Sequence, residues 1–313
     1  MSRNTAATPA GQHTRRTLFQ SSSISAVDFC CIAPLQTEGP EEPNPTHSIV
    51  FVRNGVFGRA EGRHTLIADS NYILFFNEAQ PYRFSHPVPG GDRCTILTVA
   101  TPTALDLVSG FQPRDAESFS RPFRIGHGII SRRAAWLHYE LLALVKRTVS
   151  ALEVDDVLAE LSDEAVRAGY KTHDRGMDDQ SSKSPGHRQQ RDLVEAAKVA
   201  INRELDSIPS LSELAHALGC SPFHLSRIFH RLTGLSLRRY VARLRVLAAA
   251  ERLAGGMTDL TELALDLGYS DHSHLTNSFR REWGLPPSRF RERHGTGNRA
   301  RTFKRPGKNL RHC

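Results

Sequence analysis

The sequence predicts an α+β protein: a β-rich N-terminal half with helices behind it, and an all-α C-terminal half of two helix-turn-helix units joined by a long helix. Three observations carry this. Between about Val27 and Ala100, segments such as SIVFVRNGVF, HTLIADSNYILFFN and CTILTVA are dense in β-branched and aromatic residues. Asn-, Gly- and Pro-bearing turns separate them, the pattern of short antiparallel strands in a barrel or sandwich. Lys171 to Gln190, KTHDRGMDDQSSKSPGHRQQ, is polar with almost nothing to bury and reads as a linker. Beyond it the chain repeats itself: LSELAHALGCS from Leu211 and LTELALDLGYS from Leu260 share seven of eleven positions.

These boundaries divide the chain into a disordered N-terminus (1–25), a sensing and dimerisation domain (26–170), the linker (171–190), a helical domain (191–294) and a basic disordered tail (295–313). At 313 residues there is length for two hydrophobic cores. A net charge of +8 favours an acidic partner such as nucleic acid. Part of the excess lies in the tail, where Arg291 to Cys313 holds eight Lys/Arg against one Glu. Five scattered cysteines without a Cys-x-x-Cys suggest neither a disulfide framework nor a zinc ribbon. With no apolar run of signal-peptide or membrane-span length, a cytoplasmic protein without a membrane partner is expected.

In chain order, the strand-like segments give way after RIGHGIISRR to a helix. Its apolar stripe is Trp136, Leu137, Leu141, Leu144, Val145 and Val149. A second helix is expected from about Val154 to Arg167, and the pair could close on the β-unit or on a second copy of the chain. In the first repeat Leu211, Leu214, Ala215 and Leu218 mark one helix and Gly219 its stop. Ser221 caps the next helix, Pro222 starts it, and it buries Leu225, Ile228, Phe229 and Leu232. The second repeat sets Leu260, Leu263, Ala264 and Leu267 before Gly268 and Ser270 as the cap. Leu275, Ser278, Phe279 and Trp283 then face inward. Between the units, SLRRYVARLRVLAAAERLAG forms the joining helix, apolar at Tyr240, Leu244, Leu247 and Ala248.

The run Asp271-His272-Ser273-His274 has the side chains of a metal site. Two residues apart on a helix, however, is about 200° of rotation, so the two histidines diverge. At the start of the second helix of a helix-turn-helix, side chains reach base edges, and DNA recognition accounts better for this run.

LSELAHALGCSPFHLSRIFHRLTGLSLRRYV and LTELALDLGYSDHSHLTNSFRREWGLPPSRFR resemble the AraC/XylS family of bacterial transcription regulators, over roughly Arg188 to Arg293. The resemblance implies a non-enzymatic, sequence-specific regulator of transcription with double-stranded DNA as partner. Two recognition helices would occupy adjacent major grooves, and a homodimer and, for an activator, RNA polymerase are further expected partners. The outward positions in the first unit are Phe223, His224, Ser226, Arg227 and His230; in the second they are His272, Ser273, Thr276 and Asn277. Arg227 leads, because a guanidinium fork can bond guanine O6 and N7 together. Phe223 could meet a thymine methyl or pack against the first helix. Family members often carry arginine where Asn277 stands, which puts guanine readout by the second unit in doubt. Arg231, Arg238, Arg280 and Arg281, with Arg243 and Arg245, are expected to touch phosphate or to be solvated.

The resemblance also implies a cupin-like barrel at the N-terminal end, holding a small effector. Arg53, Tyr72, Phe84 and Arg93 fall on expected strands and could line its pocket. A metal-binding cupin would carry His-x-His with a later Glu and His; His47, His64 and His86 stand alone, so no metal or other cofactor is expected. Two competing readings are a barrel enzyme tethered to DNA, which the missing ligand set disfavours, and a protein-interaction module, which conflicts with the basic balance.

Overall fold

The computed structural model describes residues 12–35, 39–62, 64–115, 118–147, 149–174, 185–203 and 205–295. The N-terminal half contains two antiparallel sheets. The larger has six strands in the order β1 (Gln12–Gln20), β2 (Ile24–Ile32), β9 (Asp92–Val99), β4 (His47–Gly55), β7 (Tyr72–Phe76) and β10 (His127–Ile129). The smaller runs β3 (Glu41–Pro43), β8 (Pro81–Ser85), β5 (Phe57–Glu61) and β6 (His64–Ala68).

Alternation along the large sheet explains its layering, since successive side chains point to opposite faces. Ile49, Phe51, Ile73, Phe75, Leu97 and Val99 share a core with the helices α1 (Thr101–Ser109), α2 (Arg132–Leu144) and α3 (Ala151–Asp174). Val50, Val52, Leu74, Phe76 and Cys94 turn the other way and meet Phe57, Leu66 and Tyr82 of the small sheet. All five residues of β7 are buried, which is why YILFF reads as an unbroken apolar run rather than an alternating one.

Several expectations are corrected. Residues 12–20 are not disordered but form β1, paired with β2 through Gln12↔Ile32 to Gln20↔Ser25, and Arg16 donates to Asp28 at 3.1 Å. Helix α3 runs on to Asp174, seven residues past its expected end, and α1 was not anticipated. Helix α4 (Pro185–Arg203) begins inside the expected linker, because Val194, Ala197 and Ile201 give it a buried face. Residues 175–184, and the tail from 296, lie outside the described residues. Of the two packings left open for the stripe of α2 and α3, Leu137, Leu141, Leu158 and Leu161 take the one within the chain and are buried.

The C-terminal half consists of α5 (Leu211–Ala217), α6 (Pro222–Thr233), α7 (Leu237–Ala254), α8 (Leu260–Asp266), α9 (His272–Trp283) and α10 (Pro287–His294). It docks on the N-terminal half through an aromatic seam. Trp136 and Tyr139 of α2 meet Trp283, Phe290 and His294, with Tyr139 and Phe290 ring centres 5.3 Å apart. A charged contact reinforces the seam: buried Arg53 donates to Asp28 at 2.9 Å and to both carboxylate oxygens of Glu251 on α7 at 2.6 and 3.1 Å. Asp28 also accepts from Arg93 at 2.6 and 3.0 Å. Burial alone would raise its pKa, but the Arg93 hydrogen bonds and the Arg53 charge outweigh it and hold the group at about 2.

A carboxyl depressed from 3.8 to about 2 contributes stability that is complete above pH 3.8 and lost as pH falls through the folded value. Asp28→Asn is therefore expected to lower stability at neutral pH and to flatten the loss of stability between about pH 4 and 2. Urea unfolding across that range checks both effects.

Candidate nucleic-acid interface

Each helix pair is built the same way. Ser210 caps α5 in a reciprocal capping box: its hydroxyl accepts from the Glu213 amide at 3.3 Å, and the Glu213 carboxylate accepts from the Ser210 amide at 2.8 Å. Leu214 and Ala215 are buried, and Gly219 at φ +67° turns the chain. Ser221 caps α6 by accepting from the His224 amide at 3.2 Å, with Pro222 in the first turn. Leu225, Ile228 and Phe229 fix the buried face of α6, and Gly234 ends the helix at φ +68°.

In the second pair Asp259 caps α8, accepting from the Thr261 and Glu262 amides at 2.8 and 3.0 Å. Gly268 makes the turn at φ +71°, where an added Cβ would lie 2.4 Å from the Asp206 carbonyl oxygen. The cap of α9 is Asp271, which accepts from the His274 amide at 2.8 Å, and not Ser270. Helix α9 starts at His272, and an ionised carboxylate at its positive end is the stronger acceptor. That amide hydrogen bond, with one from Ser270, holds the Asp271 carboxyl below its ordinary pKa. Ser270 supports the cap by donating to Asp271 at 2.9 Å.

Phe223, Arg227 and His230 of α6 are exposed, while His224 and Ser226 are half-buried. At 78% exposure Phe223 is not packed against the first helix. On α9, His272, Ser273 and Asn277 are exposed and Thr276 is half-buried. His274 lies edge-on to Tyr269, with ring centres 5.1 Å apart, and neither His272 nor His274 belongs to a ligand grouping among the described residues. Arg231 of α6, Arg280 and Arg281 of α9 and Arg238 in the first turn of α7 are all exposed, and Arg231 reaches Gln190. Two arginines depart from expectation. Arg243 is buried, 3.2 Å from Glu282, and donates to the Ile130 carbonyl at 2.6 Å; Arg245 bonds the carbonyls of Leu205 and Gly268. Both hold the fold together through these contacts.

The four residues expected to line an effector pocket do not share one pocket. Arg53 and Arg93 share Asp28, and Phe84 lies against His86 with ring centres 5.9 Å apart. Tyr72 is buried beneath the Lys198 ammonium, 4.3 Å from the ring centre. Burial pushes the Tyr72 hydroxyl up to about 12. Burial opposes the Lys198 charge, but Glu195 at 2.9 Å keeps it protonated. Sequence reasoning missed Ser210 and Asp259 as caps, although Ser-x-x-Glu before an apolar run was a legible signal. It also missed the Tyr72, Glu195 and Lys198 cluster, which joins residues more than 120 positions apart.

A helix-turn-helix domain family matches residues 214–293. The regulatory protein SoxS of Salmonella typhimurium is 31% identical over 93 residues, which are 30% of this chain and 87% of that protein. The chain belongs to the AraC/XylS family. The probable transcription factor PqrA of Proteus vulgaris is 33% identical over 82 residues, or 26% of this regulator and 67% of that protein. A ToxT structure from Vibrio cholerae overlaps 87% of the regulator and 99% of its own chain, at 9% identity and a TM-score of 0.34. The regulator is thus an AraC-type helix-turn-helix DNA-binding protein. None of its described helices is long and apolar enough to cross a membrane.

Asp271→Ala is expected to cost about 1 kcal/mol of stability and fray the start of α9, whereas Ser270→Ala should cost well under that. Urea unfolding of the two variants distinguishes them, and an equal loss would mean that the serine caps the helix after all.

Proposed function

We propose that this regulator reads a specific DNA sequence by seating α6 and α9 in successive major grooves. Arg227 is the principal base reader, with Phe223, His224, Ser226 and His230 beside it. His272, Ser273, Thr276 and Asn277 form the second reading face. The observation that carries this is the division of each recognition helix: its apolar face is fully used in the core, while the outward face remains exposed even though the two halves of the chain are docked. Helix α7 supplies the spacing. Its 18 residues rise roughly 27 Å, which with the end turns suits grooves about 34 Å apart. Asn277 suits adenine, whose N6 and N7 match an amide. Arg231, Arg238, Arg280 and Arg281 are placed to touch phosphates and set the register.

We further propose control by a small effector. It is supported by a cleft between the β-rich half and α4, lined by Tyr72, His64, Arg188, Arg191, Glu195 and Lys198, with a cavity of about 90 Å³. Its basic lining suits a small anionic effector, and a ligand that wedges into it would press α4 away from the sheet. Such a movement would strain the hydrogen bonds from Tyr240 and Asn202 to buried Asp69, at 2.6 and 2.9 Å. Binding at this cleft would thereby reach α7 and the spacing of the two reading helices.

Arg227→Ala should cost about 1–3 kcal/mol at one base position and relax specificity there, while Arg280→Ala should weaken binding on all sequences and reduce the salt slope by about one. Affinities measured on an operator and its single-base variants at several salt concentrations check both. A uniform loss with Arg227→Ala would assign that side chain to phosphate and overturn its role as a reader.

A further inference from the structure

His86 was expected to stand alone, but the fold surrounds it with two other ligand types. Cys31 at the end of β2 and Asp92 at the start of β9 are paired across the large sheet, so their side chains leave it on the same face. His86 follows β8 of the small sheet and closes on them from the opposite layer. One donor atom from each of Cys31, His86 and Asp92 lies within 4.8 Å of the others. All three residues are buried, at 8%, 2% and 5% exposure.

The surroundings hold these groups in place. Nε2 of His86 lies 2.9 Å from Oδ1 of Asp92, while its Nδ1 is buried without a hydrogen-bond partner. The Cys94 thiol donates to the other Asp92 oxygen at 3.0 Å, fixing the carboxylate. The backbone leaves room for nothing larger beside Cys31: Gly91 has φ +79°, and a Cβ there would fall 1.9 Å from the Cys31 carbonyl oxygen. Thiolate, imidazole and carboxylate are the donors that zinc and similar divalent ions take. With bonds of about 2.0–2.3 Å, neighbouring donors would stand roughly 3.3–3.6 Å apart, so the widest pair would close by up to about 1.5 Å.

We propose that Cys31, His86 and Asp92 form a buried site for a thiophilic divalent ion of the zinc class, clamping the end of β2 to the segment between β8 and β9. On binding, the Cys31 thiol and the His86 ring each release a proton to solvent, and the ion takes the thiolate sulfur, the freed ring nitrogen and a carboxylate oxygen of Asp92. Cys94 positions Asp92 and is not a ligand. With every ligand buried between the sheets, the site is structural, with no route for a substrate. It is independent of the DNA reading and would stand if that reading failed.

The test is cobalt(II) titration of the reduced, metal-free full chain, followed by absorption. The expected result is a thiolate-to-cobalt charge-transfer band saturating at one equivalent and displaced by zinc. Cys31→Ser should abolish the band. Cys220→Ser, which removes a half-buried thiol in the first helix-turn-helix, should leave it unchanged. Cys94→Ser should keep the band but weaken affinity about tenfold, the scale of losing a partner that orients a ligand. Absence of the band in the unaltered protein overturns the site whatever the variants do, and so does a band that survives Cys31→Ser.

Discussion

The structure depends on α7 being buried on more than one side. A helix at a protein surface has one apolar stripe, but α7 has to serve three neighbours at once. Tyr240 and Leu244 belong to the core of the first helix-turn-helix, whereas Val246, Leu247, Ala250 and Leu253 belong to the core of the second. Glu251 and the Leu247 carbonyl face the N-terminal half, meeting Arg53 and the Tyr139 hydroxyl. Alanines at 248–250 let the neighbours approach closely. Since α7 fixes how far apart α6 and α9 stand, whatever packs against it also bears on their spacing.

The two halves are held by chemistry of two kinds. The aromatic seam around Trp136, Tyr139, Trp283 and Phe290 supplies apolar burial without direction. The polar contacts supply register. Asp69 is fully buried and accepts from Tyr240 and Asn202, while Lys198 is held by Glu195 and the Ile67 carbonyl. A buried charge network of this sort tolerates one arrangement well and others badly, because a partner left behind keeps its desolvation cost. The docked arrangement nevertheless leaves the outward faces of α6 and α9 open.

Much of the C-terminal half was legible because its signals are local. Gly219 and Gly268 punctuate the turns, Ser221 and Pro222 open α6, and Leu225 and Leu275 head matching apolar faces. The Ser270 to Asp271 correction moved one cap by one residue, since both side chains can accept and only the helix start decides between them. Arg243 and Arg245 were misplaced for a different reason. A helix with more than one buried side has no face that periodicity can mark as solvent, and each guanidinium finds carbonyls contributed by distant elements.

The N-terminal half was legible in class but not in its sites. Strand patterning gave away the sheets, yet β1 was hidden because QHTRRTLFQ is polar and needs β2 beside it to count as a strand. Arg53 looked available for an acidic ligand, and its partner Glu251 stands 198 positions away. Cys31, His86 and Asp92 share no sequence motif, and only the pairing of β2 with β9 under the second sheet brings them together. The central claim is that two helix-turn-helix units read DNA together across the length of α7. Selection of bound sequences from a random duplex pool by the full chain at physiological salt tests it most directly. The expected result is two short fixed blocks about one helical turn apart; a single block, or none, would contradict it.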